Sequence, residues 1–172
     1  MKAPRGAASR AGVLKTPLGW CAAAWKGRTL LAFVLPKPTA SSALRGLKSF
    51  GSRDAGQTAV PRFFVQPIRA ALSGQPFRTP DFDLSALTGF QRAVLKTAST
   101  IPRGQTRSYA WVARKCGHSK AARAVGGALH ANPLPLFIPC HRVTASNGRL
   151  GGFSAGIAMK RFLLKLEGLD DF

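Results

Sequence analysis

The sequence predicts an α+β fold in two parts, a small α/β amino-terminal domain followed by a helical carboxy-terminal domain. Three observations carry this expectation. Short apolar runs rich in Leu, Phe and Val, separated by turn residues, occupy the first half, as strands do. The second half repeats its apolar residues at helical spacing. Between them, 75–83 holds Pro76 and Pro80 and reads as a linker. At 172 residues the chain has room for one large or two small cored domains.

Residues 1–15 are basic, rich in small residues and free of acids, and are expected to form a disordered leader. The amino-terminal domain is then 16–82. Thr16-Pro17-Leu18-Gly19 reads as an entry turn, Trp20–Trp25 as a first strand, Lys26-Gly27 as a two-residue turn, and Arg28–Leu35 as the returning strand. A short helix is expected over Ala43–Phe50, between loops at 36–42 and 51–57. Phe63–Gln66 reads as a strand. Pro67–Leu72 reads as a helix with its proline at the favoured first position and Gly74 just past its end.

The carboxy-terminal domain, 83–172, begins with a helix over Phe90–Ser99, where Phe90, Ala93, Val94 and Ala98 form a stripe. Ile101-Pro102-Arg103-Gly104 stops it. Ser108 suits the N-cap of a helix running to Lys115, which Gly117 closes. Ser119 is expected to cap the next, Lys120–His130, with Ala121, Ala122, Val125 and Leu129 on its apolar side. Two short helices separated by a glycine outline a helix-turn-helix, the second being the recognition helix. A last helix spans 156–168, its apolar content supplied by Ile157, Met159, Phe162, Leu163, Leu164 and Leu166.

The charge is unusual: 26 Lys and Arg against 6 Asp and Glu, a formal +20. Such an excess calls for a polyanionic partner, nucleic acid or an anionic surface. Thirteen of the basic residues precede Leu84 and thirteen follow it, so the charge is not a basic tail. The three cysteines, Cys21, Cys116 and Cys140, are odd in number and far apart, with no C-x2-C or H-x3-H pair. Neither a disulfide framework nor a structural zinc is indicated, and a reducing compartment suits the free thiols. No apolar run approaches the roughly 20 residues of a membrane span.

The stretch that organises the chain is Ile138-Pro139-Cys140-His141-Arg142-Val143. It places a thiol beside an imidazole, behind a proline that restricts the backbone. A free thiol titrates near ~8.5 and needs help to act as a nucleophile at neutral pH, which a histidine held by a third group can give. By itself the pair also suits a buried cysteine acting as a small hydrophobe. Its surroundings favour chemistry. Upstream stands Asn132-Pro133, and downstream Gly148-Arg149-Leu150-Gly151-Gly152-Phe153-Ser154 and a helical run carrying Glu167, the one glutamate of the chain.

With its N-P-x5-PCHRV core, its G-x-L-G-G-F-S segment and the late K-x2-LL-x2-E run from Lys160 to Glu167, the chain resembles the O6-alkylguanine-DNA alkyltransferases, the methylated-DNA–protein-cysteine methyltransferases. The resemblance is strong from Phe90 to Gly168. It implies a ribonuclease-H-like amino-terminal α/β domain and a winged-helix/helix-turn-helix DNA-binding domain. It also implies that Cys140 takes an alkyl group from guanine O6, less readily from thymine O4, with Glu167, His141 and a water as a relay to the sulfur. The product would be a stable thioether, so each molecule acts once, without cofactor or metal. The expected partner is double-stranded DNA carrying O6-alkylguanine, met by a monomer away from any membrane. The setting would be a bacterial cytoplasm and nucleoid, or a eukaryotic nucleus.

Other roles follow from the same resemblance. Asn132, by position a helix C-cap, would also tie together the turn before Cys140. Tyr109, ending the G-x-T-x-S-Y match from Gly104, would donate to the departing purine and help rotate the nucleotide out. Arg123, in Ala-Ala-Arg-Ala-Val-Gly-Gly, resembles the arginine that fills the gap left by the extruded base, an extrusion needed because the target atom lies inside the stack. Val143, Phe153 and Ser154 would line the guanine pocket, and Gln91, His118 and Ser146 would meet phosphates. Two positions depart from the family: Ala155, whose methyl would narrow the pocket, and Leu87 before the T-x-F-Q match, each where glycine is common. The rivals are a non-catalytic alkyltransferase-like lesion binder, disfavoured by Cys140, a cysteine hydrolase lacking an evident oxyanion hole, and a basic architectural DNA binder.

Overall fold

Three antiparallel strands, β1 (Arg10–Thr16), β2 (Gly19–Lys26) and β3 (Thr29–Lys37), form a meander in the order β1-β2-β3. The computed structural model describes residues 9–50, 58–146 and 148–170. The chain divides into two compact units, 1–86 with 133–137, and 87–132 with 138–172.

In the first unit the hairpin expected at Lys26-Gly27 is present, with Gly27 at a positive φ of 57°. The entry turn at 16–19 is a second hairpin, because β1 pairs with β2 from Arg10↔Trp25 to Thr16↔Gly19. Residues 10–15 are therefore strand rather than disordered leader, and 1–8 lie outside the described residues. The small side chains of Ala11 and Gly12 have a packing reason. A Cβ on Gly12 would come within 2.0 Å of the Thr58 carbonyl oxygen, and the Thr58 amide donates to Ala11 at 3.1 Å.

Alternation along β2 sends Ala22 and Ala24 to one face, with Ala11, Ala32 and Val34. Helix α1 (Ala40–Lys48), capped by Thr39 and Ser42 in a reciprocal capping box, packs Ala43 and Leu47 against that face. The alanines keep the approach close: a Cβ on Gly46 would meet Val34 at 2.9 Å. Trp25 points to the opposite face, against Phe64 with ring centroids 6.1 Å apart.

Phe64 belongs to α2 (Arg62–Leu72), not to a strand. Phe64, Ile68, Ala71 and Leu72 are its buried residues, an i, i+4, i+7, i+8 stripe that overrides the β preference of Phe63–Gln66. Pro67 consequently sits inside the helix rather than at its start. The expected loop at 51–57 lies outside the described residues. Segment 133–137 joins this unit through Phe33 N–H to Pro133 O at 2.7 Å and an edge-on Phe33–Phe137 contact at 5.6 Å.

The second unit holds α3 (Gly89–Ser99), β4 (Arg107–Ser108), α4 (Tyr109–Lys115), α5 (Ala122–His130), a 3-10 turn at Cys140–Arg142, β5 (Val143–Thr144) and α6 (Ile157–Lys165). Thr88 and Gln91 form the capping box of α3, which buries Val94, Leu95 and Ala98, while Ala93 is exposed. Ser108 caps α4 by accepting from Trp111 N–H at 3.1 Å, and Gly117 follows at φ 78°. Ser119 does not cap α5; that helix starts after Ala121 without a side-chain cap and buries Val125, Ala128 and Leu129. α4 and α5 are the expected helix pair. β4 and β5 pair in parallel, Arg107↔Val143 and Ser108↔Thr144. No helix among the described residues is long and apolar enough to cross a membrane.

Candidate active site

Cys140 opens the 3-10 turn directly after Pro139. It is 5% exposed and lines a cavity of about 530 Å³ with Tyr109, Ala122, Arg123, Gly126, Leu129, His130, Gly152, Phe153 and Ser154. The fold thus gathers five expected residues, Cys140, Tyr109, Arg123, Phe153 and Ser154, around one opening. Asn132 stands behind the thiol. Its Nδ2 donates to Cys140 Sγ at 3.1 Å and to Ile138 O at 3.0 Å. The C-cap of α5 is Ala131, not Asn132, which leaves the Asn132 side chain to hold the turn.

His141, 2% exposed, places Nε2 2.8 Å from Glu167 Oε1. Arg142 clamps the same carboxylate, with Nε at 3.0 Å from Oε2 and Nη2 at 2.9 Å from Oε1. Its Nη1 donates to Ile101 O at 2.6 Å, and the Gly104 amide donates to Glu167 Oε2 at 3.3 Å. Burial alone would push the Glu167 carboxyl up. The hydrogen bonds and charges of His141 and Arg142 together outweigh it and bring the carboxyl to about 2.

Burial likewise pushes His141 below its usual range, against the pull of Glu167. The imidazole is therefore neutral near pH 7. An ionised carboxylate on Nε2 fixes the proton there, and Nδ1, buried without a hydrogen-bond partner among the described residues, is left as an acceptor. Burial also pushes the Cys140 thiol up, offset only in part by Asn132 and Lys160. The buried sulfur thus favours its protonated form at rest.

Tyr109 donates from its phenol to Gly152 O at 3.2 Å, and burial followed by the Cys140 charge keeps it above its usual range. Gly151 has φ 69°, and a Cβ there would stand 2.9 Å from the Tyr109 ring and phenol oxygen. Only glycine fits that position.

Other expected residues lie elsewhere. Val143 is fully buried in β5 and lies outside the cavity lining, because its strand pairing turns it into the core. Ala155 is not in the lining either. Gln91 uses its side chain on the Thr88 amide at 3.0 Å. His118 is exposed and edge-on to Phe90 at 5.3 Å, and Ser146 is exposed. Sequence reasoning quoted Arg142 and Lys160 within its motifs but gave neither a role. A sole glutamate assigned to a buried relay needs a cation, and Arg142 was the adjacent one. Lys160 falls within the apolar stripe of α6, three and four residues before Leu163 and Leu164.

A family profile described as the DNA-binding domain of 6-O-methylguanine DNA methyltransferase matches residues 89–169. The methylated-DNA–protein-cysteine methyltransferase of Methanothermobacter thermautotrophicus is 41% identical over 136 residues, covering 76% of this chain and 74% of that protein. The Homo sapiens protein of the same name is 35% identical over 165 residues, covering 82% and 80%. The crystal structure of Mycobacterium tuberculosis OGT in complex with DNA aligns with a TM-score of 0.75 at 32% identity, over 92% of each chain. Profile, relatives and fold agree on one class, the DNA-repair methyltransferases. The chain belongs to the methylated-DNA–protein-cysteine methyltransferase family.

Proposed function

We propose that this protein repairs duplex DNA by moving the alkyl group of O6-alkylguanine, typically methyl, onto Cys140, after the base is turned out of the stack. The observation that carries the reading is the Cys140 thiol in the cavity wall, held by Asn132 at 3.1 Å with the His141–Glu167 pair at 2.8 Å beside it. The thiol proton passes through a bridging water to His141 Nδ1, and Glu167 balances the imidazolium. Sulfur attacks the methyl carbon in line. The S–C bond forms as the C–O6 bond breaks, and the electron pair leaves on guanine, where the Tyr109 phenol donates to it. The thioether has no second thiol placed to release it, so the protein turns over once. Incubation with excess methylguanine duplex should give one repaired base per molecule and the mass of one methyl on Cys140. Repeated turnover, or methyl on Cys21 or Cys116, contradicts the reading.

Arg123, exposed on α5 at the cavity rim, supports extrusion by filling the vacancy the base leaves. Unstacking and unpairing cost a few kcal/mol, less at a mismatch. Arg123→Ala should therefore slow repair in paired duplex at saturating protein, while reaction with the free alkylated base stays near wild type. The defect should shrink opposite a destabilising mismatch. If saturation restores the duplex rate, Arg123 is a phosphate contact and the role is wrong. General duplex affinity should fall as salt rises, as expected of a +20 chain.

A further inference from the structure

Trp111 sits on α4 apart from the two residues that helix buries, Val112 and Ala113. It is half-buried and lines a second cavity, of about 430 Å³, with Lys96 and Thr97 from α3, Pro102, Arg107 from β4 and Lys115. That volume lies in the range of small-ligand clefts. Every charged residue in the wall is a cation, and among the described residues none of the three forms an ion pair. Three cations gathered round one cavity repel each other, and an anion seated among them relieves that repulsion.

The indole decides what kind of anion fits. Arg107 and Lys115 stand four positions before and after Trp111, 5.6 Å and 5.8 Å from the ring centre. Both distances are close to the outer limit of about 6 Å for a cation over a ring, so the cations flank the indole rather than cap it. A phosphate alone would need only the cations. An aromatic ring between two cations suits a strand whose base stacks while its phosphates reach the charges on either side, as in proteins that take single-stranded nucleic acid. A duplex keeps its bases stacked on each other and offers the cavity phosphates only.

This cavity is separate from the one that holds Cys140, and no residue lines both. Each uses α4, one through Tyr109 and the other through Trp111. At about 100° per residue, two positions carry the chain roughly 200° around the helix. The two side chains therefore leave α4 on nearly opposite sides.

We propose that this cavity is a second nucleic-acid site, which takes one nucleotide of single-stranded DNA with its base on Trp111 and its flanking phosphates on Lys96, Arg107 and Lys115. A protein seated on a duplex through α5 can then hold an unpaired strand at the same time. The site stands whether or not Cys140 accepts a methyl group.

The test uses the full chain, saturated with lesion-free duplex, and a labelled oligothymidylate, which offers no guanine to the Cys140 cavity. Fluorescence anisotropy should show the oligothymidylate joining the duplex-bound protein without displacing the duplex. Loss of a stacking ring from a single-strand site costs about five- to a hundredfold in affinity. Trp111→Leu should weaken oligothymidylate binding by that factor, and Trp111→Phe should keep most of it. Duplex affinity and single-turnover methyl transfer should stay close to wild type in both, which also shows that they are folded. Lys96→Gln combined with Lys115→Gln should lower the slope of log affinity against log salt by about 1.4, or about 0.7 per phosphate contact. Should Trp111→Leu fail to fold, the lysine pair, both exposed side chains, decides by that slope. Displacement of the oligothymidylate by duplex would place it on the α5 face and overturn the proposal, as would unchanged binding by Trp111→Leu. A second duplex taken up as tightly as the oligothymidylate would reduce the cavity to a phosphate contact and overturn it too. A wild type that takes no methyl from DNA yet binds the oligothymidylate in this way ends the proposed function and leaves the second site in place.

Discussion

Cys140→Ala should abolish methyl transfer altogether and leave duplex affinity close to wild type. On the proposed function the sulfur is the atom that keeps the methyl, so its loss leaves no acceptor. Neither remaining thiol can replace it. Cys21 is fully buried in β2, and burial pushes its thiol up to about 12, too little ionised to react at neutral pH. Cys116 contacts Thr97 Oγ1 at 3.2 Å and lies outside the cavity lining. The proposed DNA-binding face, the basic surface and α5, is not touched by the change. Transfer of a labelled methyl from duplex to protein, followed in parallel with a gel-shift titration, checks both halves. Residual labelling of the variant at even a tenth of the wild-type rate would remove Cys140 from the reaction.

Glu167→Gln should slow transfer at pH 7 by about a hundredfold, the lower range for a lost acid–base partner, with partial recovery as pH rises. Without the carboxylate the imidazolium is unsupported, so His141 is a poorer base and more alkaline solution must remove the thiol proton. The same change alters acid stability in a defined direction. The Glu167 carboxyl is depressed in the folded protein from an ordinary value of 4.5 to about 2. Its contribution is present above the unfolded value and is lost as pH falls toward the folded one. The shift corresponds to about 3 kcal/mol. Wild-type stability by urea denaturation should drop between pH 5 and pH 2 on this account, and the glutamine variant should show a flatter acid limb from a lower plateau. Equal pH–rate profiles for the two proteins would take Glu167 out of the relay.

The chemistry was more legible in the sequence than the fold. Motif residues close together in the chain, such as Pro139-Cys140-His141, declare themselves by adjacency, and Glu167 does so by being the sole glutamate. What adjacency cannot reveal is a side chain whose role is set by backbone brought from elsewhere. Lys160 opens a motif run but shows no role there until carbonyls at 143, 150 and 152 converge on it. Arg142 looks like part of a basic surface until it reaches Ile101, 41 positions back. Secondary structure failed where local preference and tertiary packing disagree. Phe63-Phe64-Val65 favours a strand, yet the stripe through Ile68 and Leu72 places it on a helix over Trp25. β1 was hidden because its alanine and glycine, small so that Thr58 can pass over them, resemble the composition of a leader.

The two-residue ladder between β4 and β5 acts as a mechanical gauge. Ser108 is registered on Thr144 and Arg107 on Val143. Tyr109 is the next residue along one rail, and the Cys140–Arg142 turn ends where the other begins. The Tyr109 phenol and the Cys140 sulfur are thus measured from one fixed ruler. A slip of one position would carry the tyrosine about 3.3 Å along the strand, more than the whole tolerance of an in-line attack. On the proposed function, the two groups that would meet the extruded base are set to a common length by the four paired residues of this ladder.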